Sequence, residues 1–384
     1  MSIETLVRDE WILFQVKEGP CAAACTYCYE TPVVKKILQS AQERGVIEDT
    51  KLDNMNNAKL ARFVSEQRNK LGLEISVGEM RDYFTILKGA GIHRAGLIGS
   101  EPTTHSQFSE MLNVAQDVGI DLLVYTAGMA PQLLEHPAIK YVVLHLDYDR
   151  LGTETLARRL EDGSLPPDSY MEKINALVDA GKKIDLRVNF TNKEMTEQAL
   201  VFNFYTKLRP ENREKVLLKY SFTTKVSGQP DADFFTPEIL RGTIPTITGF
   251  VDEFKKRFPD ASMYAERSLF PCSFDEDIWS HYEQKGGFTS VCDMEFTVYP
   301  NSGLALCSPS RDLVSGERVT TPEQLKQRIT ELKTLMQEIY RTPSFDVCQP
   351  CPKREDLSCQ GGCLGYKLGI YNKTEGDSLI QIKR

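Results

Sequence analysis

The sequence predicts an α/β fold, a partial (β/α)6 TIM-like barrel followed by a small cysteine-rich domain. Two observations carry the barrel. Short apolar runs recur along the first two thirds of the chain, and amphipathic stretches of helical period lie between them. Strand, helix, strand, repeated, implies a parallel sheet with right-handed crossovers. A third observation marks the second domain: three of the ten cysteines lie at 21–28, none at 29–271, and seven at 272–363.

The first strand is read at "WILFQV" (11–16), the second at "AGLIG" (95–99) and the third at "DLLVYTAG" (121–128). "YVVLHLD" (141–147), "IDLRVNF" (184–190) and "VLLKYSF" (216–222) supply the remaining three. "SQFSEMLNVAQDVG" reads as a helix with Ser106 as N-cap and Gly119 as its stop, and the stretch from Asp168 to Gly181 repeats the pattern. Two charged helices fill the long first connection, 31–75, which reads either as a solvated helical insertion or as a lid over the barrel mouth. After "DEFKKRF" (252–258) the alternation stops, apart from one amphipathic helix at 321–341. This sets the expected domains at 1–259 and 260–384. In barrels of this kind the chemistry sits on loops after the strand C-termini, and the first cysteine group follows the first strand.

The chain has 384 residues, 41% of them hydrophobic, enough for a sizeable core, and a net charge of -8. With no dominant basic patch, nucleic acid is not the expected partner. "MSIETLVRDEW" does not have the form of a signal peptide, and no apolar run reaches the roughly 18 residues of a membrane helix. The reading is a soluble cytoplasmic protein with no membrane partner. In that compartment clustered cysteines point to metal or redox chemistry rather than disulfides.

Cys21, Cys25 and Cys28 fall at i, i+4 and i+7. On a helix that is one face, and a buried stripe is the plain reading, but Pro20 and the preceding strand oppose a long helix. Structural zinc closes with four ligands, and no further Cys or His lies nearby in sequence. An iron–sulfur cube takes thiolates. With three of them, one iron keeps an open position that the amino and carboxylate groups of S-adenosylmethionine can chelate.

The C-x3-C-x2-C spacing, with Tyr27 before the third cysteine, resembles the signature of the radical S-adenosylmethionine superfamily. "GLIGSEPTTH" (96–105) resembles the family's GGEP motif, which implies that Gly99, Ser100, Glu101 and Pro102 hold the cofactor's amino group. Ser100 replaces the second glycine. "YTAG" (125–128) resembles the family's TNG turn, placing Thr126 at the cofactor, with Ala127 in place of Asn. His145 and Asp147 alternate onto one face of the fourth strand and stand where the family often has a polar pair for the ribose; a satisfied core histidine is the alternative. Arg187 and Asn189 share a face of the fifth strand. Arg187 is either the partner of the cofactor carboxylate, through bidentate pairing, or one half of a rim salt bridge.

The later cysteines, Cys272, Cys292, Cys307, Cys348, Cys351, Cys359 and Cys363, resemble the SPASM extension, which implies one or two auxiliary [4Fe–4S] clusters. Gly303 stands four rather than five positions before Cys307, one gap is seven residues rather than five, and no cysteine follows Cys363. Carried over, the family's wiring gives one cluster Cys272, Cys292, Cys307 and Cys363. The other has Cys348, Cys351 and Cys359, with Glu375, Asp377 or substrate as the fourth ligand. A zinc knuckle with spare thiols is the alternative reading of the spacing alone.

The resemblance implies an enzyme of oxidoreductase or maturase type. A site-differentiated cluster and S-adenosylmethionine yield a 5′-deoxyadenosyl radical that removes hydrogen from an unactivated carbon, with flavodoxin or ferredoxin as electron donor. The leading expectation is oxidative modification or crosslinking of a peptide in natural-product biosynthesis. The short stretch before the first strand leaves no room for a leader-binding winged helix. The alternatives are dehydrogenation, epimerisation or rearrangement of a sugar, aminocyclitol or nucleoside, and a non-catalytic iron–sulfur or zinc protein. No general base or hydrogen donor is singled out among Tyr148, Asp149, Lys219 and Tyr220, which lie near strand ends and read equally as rim residues.

Overall fold

The computed structural model describes residues 11–17, 30–47, 63–64, 71–128, 130–146, 167–190, 195, 198–222, 237–266, 269–290, 295–300, 303–306, 318–341, 351–356 and 358–361. It is an α/β protein built on a mostly parallel sheet, and all six strands expected from the apolar runs are present. The chain forms two compact units, one of Met1–Leu177, Glu295–Ala305 and Ser315–Ile329, the other of Val178–Met294, Leu306–Val314 and Thr330–Arg384.

In the first unit, β1 (Ile12–Gln15), β2 (Arg94–Ile98), β3 (Asp121–Thr126) and β4 (Ile139–Leu146) pair in sequence order, all parallel. The far edge of β1 takes β8 (Phe296–Val298), also parallel, and β8 forms a short hairpin with β9 (Leu304–Ala305). The first connection carries α1 (Glu30–Glu43), as expected; most of the second helix read there lies outside the described residues. The next helix, α2 (Val77–Gly89), begins at a capping box. Ser76 Oγ accepts from the Glu79 amide, and the Glu79 carboxylate accepts from the Ser76 amide, satisfying two orphan donors of the first turn. Alternation on β1 then sorts the layers. Ile12 and Phe14 are fully buried, and Phe14 packs on Tyr83 and Phe84 of α2, with ring centroids 5.6 and 5.7 Å away. Leu13 faces the other way, into a cluster with Ile98, Leu123, Tyr125 and Val143. Gly96 sits within β2 because a Cβ there would strike the Leu13 side chain.

Two expected helix starts need correction. The helix α3 (Phe108–Val118) starts after Gln107, not Ser106, because the Ser106 hydroxyl is drawn to Glu74, 3.2 Å away, and caps nothing. Its stop is as expected: Gly119 closes it at φ 80°, a conformation glycine adopts without strain. The helix α4 (Pro167–Asp179) takes Pro167 as its first residue, so Asp168 lies inside the first turn, where a carboxylate favours the helix dipole, rather than at the cap.

In the second unit β5 (Lys183–Phe190), β6 (Val216–Phe222) and β7 (Met263–Ala265) are parallel. The helices α5 (Gln198–Lys207), α6 (Pro210–Arg213) and α7 (Pro237–Arg257) follow the strands. An aromatic core fills the space between them. Phe250 of α7 meets Phe190 edge-on at 5.1 Å, and Tyr205 meets Phe254 at 4.9 Å, with its hydroxyl donating to the Val216 carbonyl. A second aromatic group joins Phe274, Phe288, Trp279 and Tyr282, the last two on α8 (Glu276–Gln284). The amphipathic stretch at 321–341 is α9 (Pro322–Arg341), as expected, and a single turn, α10 (Pro352–Glu355), follows. Among the described residues no helix is long and apolar enough to cross a membrane.

Candidate cofactor site

The first unit gathers its polar groups at the C-terminal ends of β1, β2 and β3. The turn leaving β2 holds two successive residues at positive φ, Gly99 at 97° and Ser100 at 40°. Glycine is needed at the first. A Cβ on Gly99 would lie 2.5 Å from the Lys17 carbonyl oxygen and 2.7 Å from the Gln15 amide. Ser100, where the motif it resembles has glycine, is held in the left-handed region at a backbone cost of roughly 1–2 kcal/mol.

Glu101 follows, and it is 1% exposed. Its Oε1 accepts from the Thr103 amide at 3.3 Å, the Thr103 hydroxyl at 2.5 Å and the Thr126 hydroxyl at 2.7 Å. Its Oε2 accepts from the Ala127 amide at 2.8 Å. The Thr126 hydroxyl, having donated to Glu101, accepts from the Gly128 amide at 2.9 Å. One buried carboxylate therefore ties the end of β2 to the end of β3. All four of its donors are neutral, and among the described residues no lysine, arginine or histidine pairs with it. A carboxylate oxygen can accept two hydrogen bonds, so Oε2 keeps room for one more donor. A buried anion without a cation is unfavourable unless something charged completes it.

The strand exit of β1 is pinned to the same turn. Lys17, 6% exposed, donates to the Thr104 carbonyl at 3.0 Å and the Thr104 hydroxyl at 2.7 Å, and stands 4.0 Å from Glu74. His105 is also buried; its Nδ1 accepts from the Gln107 amide, so Nε2 carries the proton and donates to the Ile75 carbonyl at 3.1 Å. These bonds fix the point from which the chain enters the cysteine stretch.

Pro102 opens a single 3-10 turn that ends at Thr104, with Glu101 as its N-cap. His145 is half-buried on β4, its ring 5.9 Å from that of Tyr125, whose hydroxyl donates to the Glu295 carboxylate at 2.7 Å. Arg187 and Asn189 belong to the second unit. The Arg187 Nε pairs with Glu266 at 2.5 Å, and Asn189 accepts from the Ser221 hydroxyl. Lys219 pairs with Asp185 at 3.0 Å, and Tyr220 is buried with its hydroxyl on the Gly287 carbonyl.

Tyr27, Asp147 and Asp149, with Tyr148, lie outside the described residues, as do Cys21, Cys25, Cys28, Cys292, Cys307, Cys348 and Cys363. Of the remaining cysteines, Cys272 is exposed in a 3-10 turn, and Cys351 and Cys359 are half-buried. The Gly361 amide points at Cys359 Sγ from 3.4 Å. Among the described residues no three Cys, His, Asp or Glu side chains come together as a metal site.

Sequence reasoning missed Gln15, Lys17, Thr103 and Tyr170. Tyr170 of α4 is fully enclosed, its hydroxyl set against Gly128. Burial first, and the charge of Glu101 second, raise its pKa far above the ordinary phenol value and keep it protonated.

No protein-family model matches the chain, and no curated protein matches it. Solved structures do. Streptococcus suis SuiB bound to S-adenosylmethionine is 15% identical, aligned over 93% of this chain and 73% of its own, with a TM-score of 0.53. Native anSMEcpe with bound AdoMet is 13% identical over 94% of this chain and 95% of its own, with a TM-score of 0.55. Native anSMEcpe with bound AdoMet and Cp18Cys peptide is 12% identical over 95% of each chain, with a TM-score of 0.52. At these identities the likeness is one of fold, and it extends over nearly the whole chain.

Proposed function

We propose that the protein is a radical S-adenosylmethionine enzyme with auxiliary iron–sulfur clusters that modifies a peptide. The observation that carries the reading is Glu101, a buried carboxylate with only neutral donors and one acceptor position left, at the C-terminal rim of parallel strands. A cofactor's amino group, carrying positive charge or polarised by iron, completes it. SuiB and anSMEcpe, which share this fold, are bound to S-adenosylmethionine, and anSMEcpe also to the Cp18Cys peptide. Cys21, Cys25 and Cys28 follow β1 directly and would hold the cluster to which that cofactor is chelated.

The residues present fit the cofactor. Gly99 offers backbone without a side chain, Ser100 and Pro102 fix the turn, and Glu101 takes the amino group. Thr126 orients Glu101 by donating to one oxygen. His145 with Asp147 is assigned to the ribose, whereas Arg187 stands in the salt bridge that was its alternative, with Glu266, and Asn189 accepts from Ser221. When bound, the cluster and cofactor supply a carbon-centred radical that removes hydrogen from the substrate. The chain's share is to bind and orient the cofactor and to exclude water; the 31–75 insertion is assigned the second task. Cys272, Cys292, Cys307, Cys348, Cys351, Cys359 and Cys363 are assigned to auxiliary clusters, so the division near 259/260 is a chemical one.

Anaerobic reconstitution with iron and sulfide, followed by S-adenosylmethionine and a strong reductant, tests the class. About 12 irons per chain, for three cubes, and release of 5′-deoxyadenosine are expected. A protein that keeps zinc, or that never cleaves the cofactor, contradicts the reading.

A further inference from the structure

Among the described residues, three buried polar side chains of the first unit find no hydrogen-bond partner: Gln15 at both amide atoms, and the hydroxyls of Tyr170 and Thr297. Thr297 lies beside Leu13 in the strand register, and Tyr170 stands against Gly128. Gln15 is the most exacting of the three. It is 0% exposed and has two unmet groups rather than one, a donor and an acceptor. A folded chain rarely tolerates this unless something outside the chain meets them.

The place of Gln15 says what that is. It is the last residue of β1, paired in register with Ile98, and its amide lies against Gly99. Glu101 is two residues further along the same turn. Lys17, buried at the exit of the same strand, is engaged with Thr104. The turn therefore has an acceptor for a ligand's amino group in Glu101, while a ligand carboxylate beside it would meet repulsion unless a donor stood close by. A primary amide supplies one acceptor and one donor side by side. An α-amino acid presents the complementary pair on one carbon.

We propose that Gln15 binds the amino-acid end of S-adenosylmethionine, its Nε2 donating to the carboxylate and its Oε1 accepting from the amino group. The inference rests on the cofactor proposed above. It assigns Gln15 a binding role at the cost of an unmet amide in the cofactor-free fold. Gly99 then has two reasons to lack a side chain: its own backbone conformation and the room the amide needs.

Gln15→Met, which keeps length and volume and removes both polar atoms, separates this role from a structural one. Four quantities are read on the anaerobically reconstituted protein: thermal midpoint without cofactor, iron content, and affinities for S-adenosylmethionine and 5′-methylthioadenosine. The second ligand lacks the amino-acid end. The expected result is a midpoint about 2 °C or more above wild type, unchanged iron, and at least a roughly tenfold loss of S-adenosylmethionine affinity. Binding of 5′-methylthioadenosine should not change. A lower midpoint or a failure to fold means that the amide is satisfied within the chain and overturns the proposal. An equal loss for both ligands, or no loss, overturns it as well. Wild-type protein that binds no S-adenosylmethionine would instead overturn the cofactor assignment, and this inference with it.

Discussion

Replacing Cys21, Cys25 and Cys28 together with alanine is expected to abolish release of 5′-deoxyadenosine while leaving about 8 of roughly 12 irons per chain. The two losses are separable because the cysteines fall into two groups more than 240 residues apart in sequence. A cube needs thiolate ligands, and removing all three leaves nothing at the N-terminal site to hold one. Without that cluster no electron reaches the sulfonium, so the loss should be complete rather than partial. On the proposed assignment the later cysteines would keep their own ligand sets. Iron analysis and chromatography of the nucleoside product on the same preparation check both halves. Persistent cleavage would move the active cluster to the C-terminal cysteines. Loss of all iron would mean that the clusters do not assemble independently.

The second large effect is expected at Glu101. As an acceptor-only group, Glu101 satisfies four donors at once. Glu101→Gln turns one oxygen into an N–H donor. If the amide nitrogen takes the Oε2 position, it faces the Ala127 amide donor to donor; in the other orientation it faces Thr103 and Thr126. Either way at least one buried donor loses its acceptor, at a cost of about 1–3 kcal/mol in stability. The same change removes the negative charge from a site 1% exposed to solvent. A hydrogen bond to a charged group contributes about 1.5–3 kcal/mol, so affinity for S-adenosylmethionine should fall by roughly 10- to 100-fold. Thr103→Val is the control. It removes one donor to Oε1 and lowers stability, yet keeps the charge, so cofactor affinity should change little by comparison. Equilibrium binding and urea unfolding on the two variants decide the matter. Wild-type affinity in Glu101→Gln would refute the amino-group assignment.

Much of the scaffold was legible because apolar run length and helical period are local signals. Six strands and the helices at 30–43, 108–118, 167–179 and 322–341 stand where those signals fall. Helix starts were less legible, since a cap depends on where a side chain turns. Ser106 is drawn to Glu74, and Asp168 is displaced inward by Pro167. The helix at 77–89 was not read from the sequence, although S-x-x-E at Ser76 and Glu79 spells its capping box. The pairing of β8 with β1 joins residues about 284 positions apart, and no local pattern encodes it. At the site, Glu101 stood out through its motif, but its four donors and the missing cation are facts of packing. Gln15 was hidden for a similar reason: one polar residue at the end of "WILFQV" reads as a strand terminus until its burial is known.

One iron of the cluster proposed at Cys21, Cys25 and Cys28 would lack a protein thiolate and receive the cofactor. The most direct measurement is the electron paramagnetic resonance spectrum of the reduced, anaerobically reconstituted protein, recorded with and without S-adenosylmethionine. One component, the one lost in the Cys21/Cys25/Cys28 triple variant, is expected to shift when the cofactor is added while the others stay unchanged. A spectrum indifferent to the cofactor, from protein that holds its full iron content, would contradict that assignment.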